Sequence, residues 1–308
     1  MAASLDHREF ARSCRIWWGG CGLDDLLDGS LSPVSALAHG TMPTIKPNEI
    51  ALMFSGGIDS TATAIRLAEQ YERVHLITFR NGYGHFHHHR TRQRVDELNR
   101  KLGNKFYYTL ISTKGHFDEI LVKHVLKDYQ QYHSGFIWFM GCKMAMHMRS
   151  ALYCLQHGLV QMTDGSNEDT NEMVEQMLIS LALIRDFYAH NGIKFGTPVY
   201  EVRRDDSRRL IAALGLKMGI EVMDRHLCIQ PTCLAGELYY MPYLLFNKKV
   251  RHDEATVARF IAEKRLIAQA IIDRWLSERG HSLAAILDQR QRQLASLTTA
   301  NADLATAA

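Results

Sequence analysis

The sequence predicts an α/β protein built on a doubly wound parallel sheet, and three observations carry that expectation. From residue 50 onward, short apolar runs bounded by turn residues alternate with longer amphipathic stretches. The apolar runs are continuous, as in strands buried on both faces. A glycine-rich junction, "FSGGIDSTATA" at residues 54–64, ends one run and starts a helical pattern at once.

The elements follow in order. "IALMF" reads as the first strand and "TATAIRLAEQYERV" as the helix after it. "VHLITF" is a second strand, "TRQRVDELNRKLG" a helix stopped by Gly103, and "FYYTLIS" a third strand. "HFDEILVKHVLKDYQQY" reads as one helix and "CKMAMHMRSALYCLQHG" as another, opened by Cys142 and stopped by Gly158. "LVQMTDG" is a strand, "NEMVEQMLISLALIRDFYAHNG" a long helix and "KFGTPVYEV" a further strand. Ligands of such a sheet bind beyond the carboxyl ends of its strands, so the loops after the first four strands are expected to face one crevice.

The flanks differ from this core. Residues 1–46 are turn-rich and read as an N-terminal extension that packs on the domain through Trp17 and Trp18. Residues 47–247 form the domain itself. Residues 248–308 hold a long amphipathic helix, "ATVARFIAEKRLIAQAIIDRWLSERG", with Gly280 as its stop, and a small polar tail expected to fray. No internal repeat is visible.

At 308 residues the chain can bury a substantial core, and 46% hydrophobic with 22% charged residues is ordinary for a globular protein. A net charge of +3, from 36 basic and 33 acidic residues, neither demands nor forbids a nucleic-acid partner. No run is long and apolar enough to span a bilayer, and "MAASLDHREFARSCR" lacks the apolar core of a signal peptide, so a cytoplasmic location is expected. Six cysteines in such a chain argue poorly for a disulfide scaffold.

The junction carries chemistry. Ser55, Gly56 and Gly57 lie where bare backbone N–H groups meet the positive end of a helix dipole, and glycine lets an anion approach the main chain. The stretch lacks the Gly-Lys-Ser/Thr of a Walker A loop and the three-glycine spacing of the dinucleotide fingerprint.

Among the cysteines, Cys142 at a helix start beside Lys143 is expected to have a lowered thiol pKa. Cys154 sits on the apolar face of the same helix and reads as a core thiol, as do Cys14 and Cys21. Cys228 and Cys233 flank a Gln-Pro-Thr turn that puts Cys233 on a loop, and their spacing is wrong for a CxxC redox or zinc pair. "NGYGHFHHHRTRQR" places four histidines within five residues after the second strand, and reads as a polar loop facing substrate rather than a metal site. Arg90, Arg92 and Arg94 within it suit phosphates or a solvated helix face.

The full Ser-Gly-Gly-x-Asp-Ser signature of residues 55–60 resembles that of the PP-loop ATP pyrophosphatase superfamily. Blocks around Cys142, around "TPVYEVRRDDSRRLIAALGL" and around "TCLAGELYYMPYLLF" resemble, in order and approximate spacing over residues 48–247, its sulfur-transferring members of the tRNA 2-thiouridylase type. The resemblance implies an ATP-binding set of Ser55, Gly56, Gly57, Ile58, Asp59, Ser60, Thr61, Phe79, Asp164 and Gly165, with Asp59 orienting the phosphates through Mg²⁺. It implies Cys233 as the persulfide-bearing thiol and Cys142 as its partner, with adenylation turning a carbonyl oxygen into AMP as the leaving group. Thr-Asp-Gly-Ser at residues 163–166 departs from the Ala-Thr-Gly-His of thiouridylases, which puts the substrate contact in doubt.

Several alternatives stay open. An iron–sulfur cluster on Cys142, Cys228 and Cys233 is one, although the usual closely spaced cysteine pair is missing. The acceptor is a free nucleobase, as in related enzymes that form thioguanine-type metabolites, or a tRNA. The free base is favoured because no recognisable RNA module is present, and residues 248–279, with eight basic and five acidic side chains, give a weak phosphate footprint. A cysteine desulfurase relay is the expected sulfur source, and a homodimer is not excluded. The rival classes are an ammonia-using amide- or nitrile-forming ligase and a non-enzymatic nucleotide sensor.

Overall fold

The computed structural model describes residues 43–86, 88, 90–216, 232–245 and 251–306. The strands are β1 (Glu49–Met53), β2 (Arg73–Arg80), β3 (His85–Phe86), β4 (Phe106–Ser112), β5 (Gln161–Thr163), β6 (Lys194–Gly196) and β7 (Thr232–Cys233). The longer helices are α1 (Ile58–Gln70), α2 (Arg90–Leu102), α3 (Lys114–Ile120), α4 (Val125–Tyr132), α5 (Phe136–His157) and α6 (Leu178–His190). They continue with α7 (Arg204–Ala213), α8 (Leu234–Leu245), α9 (Glu254–Ser277) and α10 (Leu283–Thr306).

Five strands form one parallel sheet in the order β4-β2-β1-β5-β6. The chain therefore builds outward from β1 to one side through β2 and β4, then to the other through β5 and β6. The reversal lies between β1 and β5, where a doubly wound sheet opens its crevice.

Residue alternation along the central strands sorts the core into two layers. Ile50 and Leu52 of β1, with Val74 and Leu76 of β2, pack against Ile65 of α1, Leu98 of α2 and Ile211 of α7. Ala51 and Met53, with Ile77 and Phe79, join Met148 of α5, Ile184 of α6 and Phe260 of α9 on the opposite face. The long C-terminal helix α9 is thus a core element. Its Lys264, counted among the basic residues of a phosphate footprint, is buried in an ion pair with Asp128 of α4.

Several boundaries differ from the sequence expectation. The helix expected to begin at Cys142 begins at Phe136, six residues earlier. Gly141 lies inside it, where a Cβ would come within 2.9 Å of Leu121 Cδ2. The single helix expected around residues 116–132 is α3 and α4 joined by a 3-10 turn, Val122–His124. The long helix expected from residue 171 begins at Leu178, after a 3-10 turn at Val174–Gln176. The strand at residues 194–202 ends at Gly196, and turns follow. The tail expected to fray continues α10 to Thr306. Trp17, Trp18, Cys14, Cys21 and Cys228 lie outside the described residues.

Candidate active site

Residues 54–61 form a turn stitched to itself and to its neighbours. Phe54 N–H donates to the Ile77 carbonyl at 2.8 Å, and the Thr78 hydroxyl donates to the Phe54 carbonyl at 2.7 Å, so β2 fixes where the turn departs. Gly56 takes φ +75°, the left-handed region open to glycine. Gly57 N–H donates to Ser55 Oγ at 3.3 Å, Ser55 and Ser60 hydroxyls lie 3.1 Å apart, and Thr61 Oγ1 donates to the Gly56 carbonyl at 3.3 Å. These local bonds leave the first turn of α1 presenting its N–H groups toward the crevice, an arrangement suited to an anion.

A cavity of about 410 Å³ opens there. Ser55, Gly57, Ile58, Asp59, Ser60, Phe79, Asp164 and Gly165 line it, whereas Gly56 and Thr61 do not. The loops after β1 and β5, the end of β2 and His85 of β3 border it, but no residue of the loop after β4 does.

Asp164 and Gly165 are brought against the turn by close backbone packing. A Cβ on Gly165 would lie 2.7 Å from Ser60 N and 2.8 Å from Ser60 Cα, so only glycine fits. Asp164 is buried, accepts from Ser166 N–H at 3.0 Å, and pairs with Lys143 Nζ at 3.0 Å. Burial would raise its carboxyl pKa, but the Lys143 charge and the hydrogen bonds outweigh that and hold it below the usual value. Lys143, read from sequence as an activator of its neighbour Cys142, is turned to Asp164 instead.

Asp59 sits in the first turn of α1, where burial raises its carboxyl pKa against the opposing charge of Arg204, 3.5 Å away. Its Oδ1 is buried with no hydrogen-bond partner. An orphaned carboxylate oxygen beside an anion turn fits the role of a magnesium ligand, since magnesium bound to phosphates needs only one or two protein carboxylates. Arg204 itself was missed by sequence reading. It opens α7, its backbone N–H is held by Asp169 Oδ2 at 2.9 Å, and its side chain lines the cavity beside Asp59.

The structure corrects the expected position of Cys142. Cys142 lies in the second turn of α5, is buried, and has no position at a helix start. Burial pushes its thiol up to about 12, only partly opposed by Asn81, whose Nδ2 donates to the sulfur at 3.2 Å. Cys233 is the one at a helix start, directly before α8, and it lines the cavity. Burial raises its thiol pKa while backbone N–H groups of Gly236 and Ala235 lower it. Cys142 does not line the cavity, and both thiols are free. Cys154 is fully buried, as expected of a core thiol.

The histidine segment supplies β3, which pairs antiparallel with β7 in the register His85 with Cys233 and Phe86 with Thr232. The segment is thus what holds Cys233 in place. Glu175, which sequence reading also missed, lines the cavity from the 3-10 turn with Oε2 buried and unpartnered, and burial raises its carboxyl pKa. No pattern in the sequence marks Glu175. An arginine opening a helical pattern directly before Asp205 and Asp206 would have been a fair pointer to Arg204.

The alternative of a cluster on Cys142, Cys228 and Cys233 involves one residue, Cys228, that lies outside the described ones. Among the described residues no group of three or more His, Cys, Asp or Glu side chains is placed to hold a metal. No helix of the described residues is long and apolar enough to cross a membrane.

Residues 49–130 match the family model of QueC, the queuosine biosynthesis protein. No curated protein matches the sequence significantly. Among solved structures, a 4-thiouridine synthetase in complex with RNA and ATP aligns at 15% identity over 72% of this chain, with TM-score 0.45. This chain spans 53% of that protein's length. The U34-tRNA thiolase NcsA from Methanococcus maripaludis, solved with its 4Fe-4S cluster, aligns at 16% identity over 76% of this chain and 77% of its own, with TM-score 0.38. The NH3-dependent NAD synthetase from Campylobacter jejuni aligns at 14% identity over 85% of this chain and 95% of its own, also with TM-score 0.38. At such identities and scores these likenesses assign no function. The signature turn at residues 55–60, its seat at the reversal point of a parallel sheet and the family-model match over residues 49–130 make the chain similar to the PP-loop ATP pyrophosphatase superfamily.

Proposed function

We propose that the protein is an ATP-dependent sulfurtransferase that adenylates a carbonyl oxygen of a nucleobase-like acceptor and replaces that oxygen with sulfur carried on Cys233. The observation that carries this reading is that one cavity contains both the anion turn and Cys233.

The residues divide the work. The anion turn and Arg204 take the β- and γ-phosphates, and Asp164 with Gly165 closes the nucleotide side. Magnesium held at Asp59 Oδ1 would neutralise phosphate charge. The acceptor oxygen attacks the α-phosphorus, the bond to the β-phosphate breaks, and pyrophosphate leaves into the turn. The terminal sulfur of a Cys233 persulfide attacks the activated carbon, and AMP departs with the oxygen. Cys142 then attacks Cys233 Sγ, forming a disulfide and leaving the outer sulfur on the product. A dithiol reductant resets the pair, and a sulfane-sulfur donor such as a cysteine desulfurase relay reloads Cys233.

A nucleobase acceptor accords with the matched family, whose name refers to the modified nucleoside queuosine. A free base such as guanine is favoured over tRNA, because α9, which carries the basic residues of the C-terminal region, buries one face in the core. The second reading, an ammonia-using ligase, draws on one observation: both thiols are pushed up rather than held as thiolates. The test is turnover by the Cys142→Ser and Cys233→Ser variants with sulfide, a persulfide donor or ammonia. Sulfur incorporation lost in both, with ATP binding retained, supports transfer. Ammonia-dependent release of AMP and pyrophosphate in both replaces it with the ligase.

A further inference from the structure

We propose that His85 is the base that takes the proton from Cys233, the two forming a cross-strand Cys–His pair on the wall of the nucleotide cavity. The proposal deepens the reading of Cys233 as the sulfur-bearing thiol and rests on it.

The register supplies the geometry. His85 stands directly opposite Cys233 in the β3–β7 ribbon. Leu234 N–H donates to the Gly84 carbonyl at 3.0 Å, which makes Gly84 and Leu234 a hydrogen-bonded pair. His85 and Cys233 are then the neighbouring non-hydrogen-bonded pair, the kind whose side chains stand closer, on one face of the ribbon. Both line the same cavity.

The chemistry of the two groups is complementary. His85 Nδ1 is buried and has no hydrogen-bond partner, a costly state unless something donates to it. Burial lowers the imidazole pKa to about 4, so the ring is neutral at neutral pH and holds the thiol proton only for the duration of the attack. The Ala235 and Gly236 N–H groups at the start of α8 favour the thiolate. Donors to the sulfur are therefore in place, and His85 supplies the missing acceptor. The charged groups facing the pair are Glu175 from the 3-10 turn and Glu237 from α8, which disfavour the thiolate, and His88, which disfavours a second positive ring. Lys143 of α5 is held by Asp164.

The step balances without a redox partner. The Cys233 Sγ–H proton passes to Nδ1, leaving its electron pair on sulfur. The thiolate attacks the outer sulfur of a donor persulfide, one S–S bond forms as another breaks, and the departing donor thiolate takes the proton back from the imidazolium. The histidine segment, read from sequence as a polar loop facing substrate, thereby gains a defined function at one position.

The test is the alkylation rate of Cys233 by iodoacetamide, followed on its peptide by mass spectrometry from pH 5 to 9 in the full-length protein. His85→Ala and His85→Asn are both expected to slow it on the order of tenfold at pH 7 and to shift its pH profile, with Cys154 unaffected. Asn keeps a hydrogen-bond acceptor near the Nδ1 position but takes no proton, so a rate restored by Asn would reduce His85 to positioning and overturn the proposal. Equal rates in all three proteins would also overturn it. Should His85→Ala fail to fold, Asn and Gln decide between the same outcomes. The parent reading is judged separately: slowed alkylation in a protein that never incorporates sulfur removes sulfur transfer and leaves the pair, whereas unslowed alkylation in one that does removes only the pair.

Discussion

The two ends of the cavity are built in opposite ways. The phosphate end comes from one run of residues, 54–61, closed by bonds between positions two to five apart, and glycine where the backbone bends. The thiol end is assembled from segments far apart in the chain: Asn81 and His85 after β2, Cys142 and Lys143 in α5, Glu175 in a 3-10 turn, and Cys233 before α8. The first end is set by local turn chemistry, so one substitution should disable it without disturbing the fold. The second depends on tertiary packing, so its side chains hold one another and substitutions should affect reactivity and stability together.

The largest effect should come from Gly57→Val. Gly57 has φ −72° and ψ 178°, an extended conformation that a β-branched residue adopts freely, so the fold should survive while the side chain blocks phosphate approach. ATP affinity by calorimetry should fall on the order of a hundredfold, about 2.7 kcal/mol. Unchanged affinity in a folded variant would dissolve the contrast between the two ends.

The thiols sharpen it next. Cys233, on the cavity wall with N–H donors at its sulfur, should alkylate faster than buried Cys142, on the order of tenfold at pH 7. A faster Cys142 would mean that α5 opens at its second turn.

A smaller effect concerns the buried ion pair that joins the two ends. Lys143→Met leaves Asp164 buried without its cation and should cost about 2–3 kcal/mol in denaturant unfolding, reduced from a fully buried pair by the partial exposure of Lys143. Because the Asp164 carboxyl is held below its ordinary value, its contribution is complete above about pH 4 and is lost as pH falls through the folded value. Stability of the wild type should therefore drop more steeply than that of Lys143→Met between pH 5 and pH 2. Parallel pH curves would show that the pair contributes nothing.

Cys154→Ala gives the smallest change, about 1–2 kcal/mol from a small cavity in the core. ATP affinity should not move, and a shift in it would place Cys154 in a site rather than in the core.

The same contrast explains what could be read in advance. The anion turn, the flanking strand and helix, and the parallel order of the sheet were legible because each follows from adjacent residues and from apolar periodicity. Cys142 was placed at a helix start, whereas the helix runs through Gly141, whose missing side chain admits Leu121 of the α3–α4 connection. That contact is tertiary and leaves no local trace. Lys143 lay beside the right cysteine in sequence, yet the helix turns it toward Asp164. Glu175 and the pairing of His85 with Cys233 depend on where β7 lands, and no periodicity encodes that.

The most direct test follows ³⁴S from a labelled persulfide donor into the nucleobase-containing small molecules and the bulk tRNA of cells expressing the wild type or Cys233→Ser. Sulfur transfer through Cys233 predicts a thiolated nucleobase with the wild type, AMP and pyrophosphate as the spent nucleotide in vitro, and no labelled product with Cys233→Ser. Equal label in both strains, or ADP as the nucleotide product, would contradict the account.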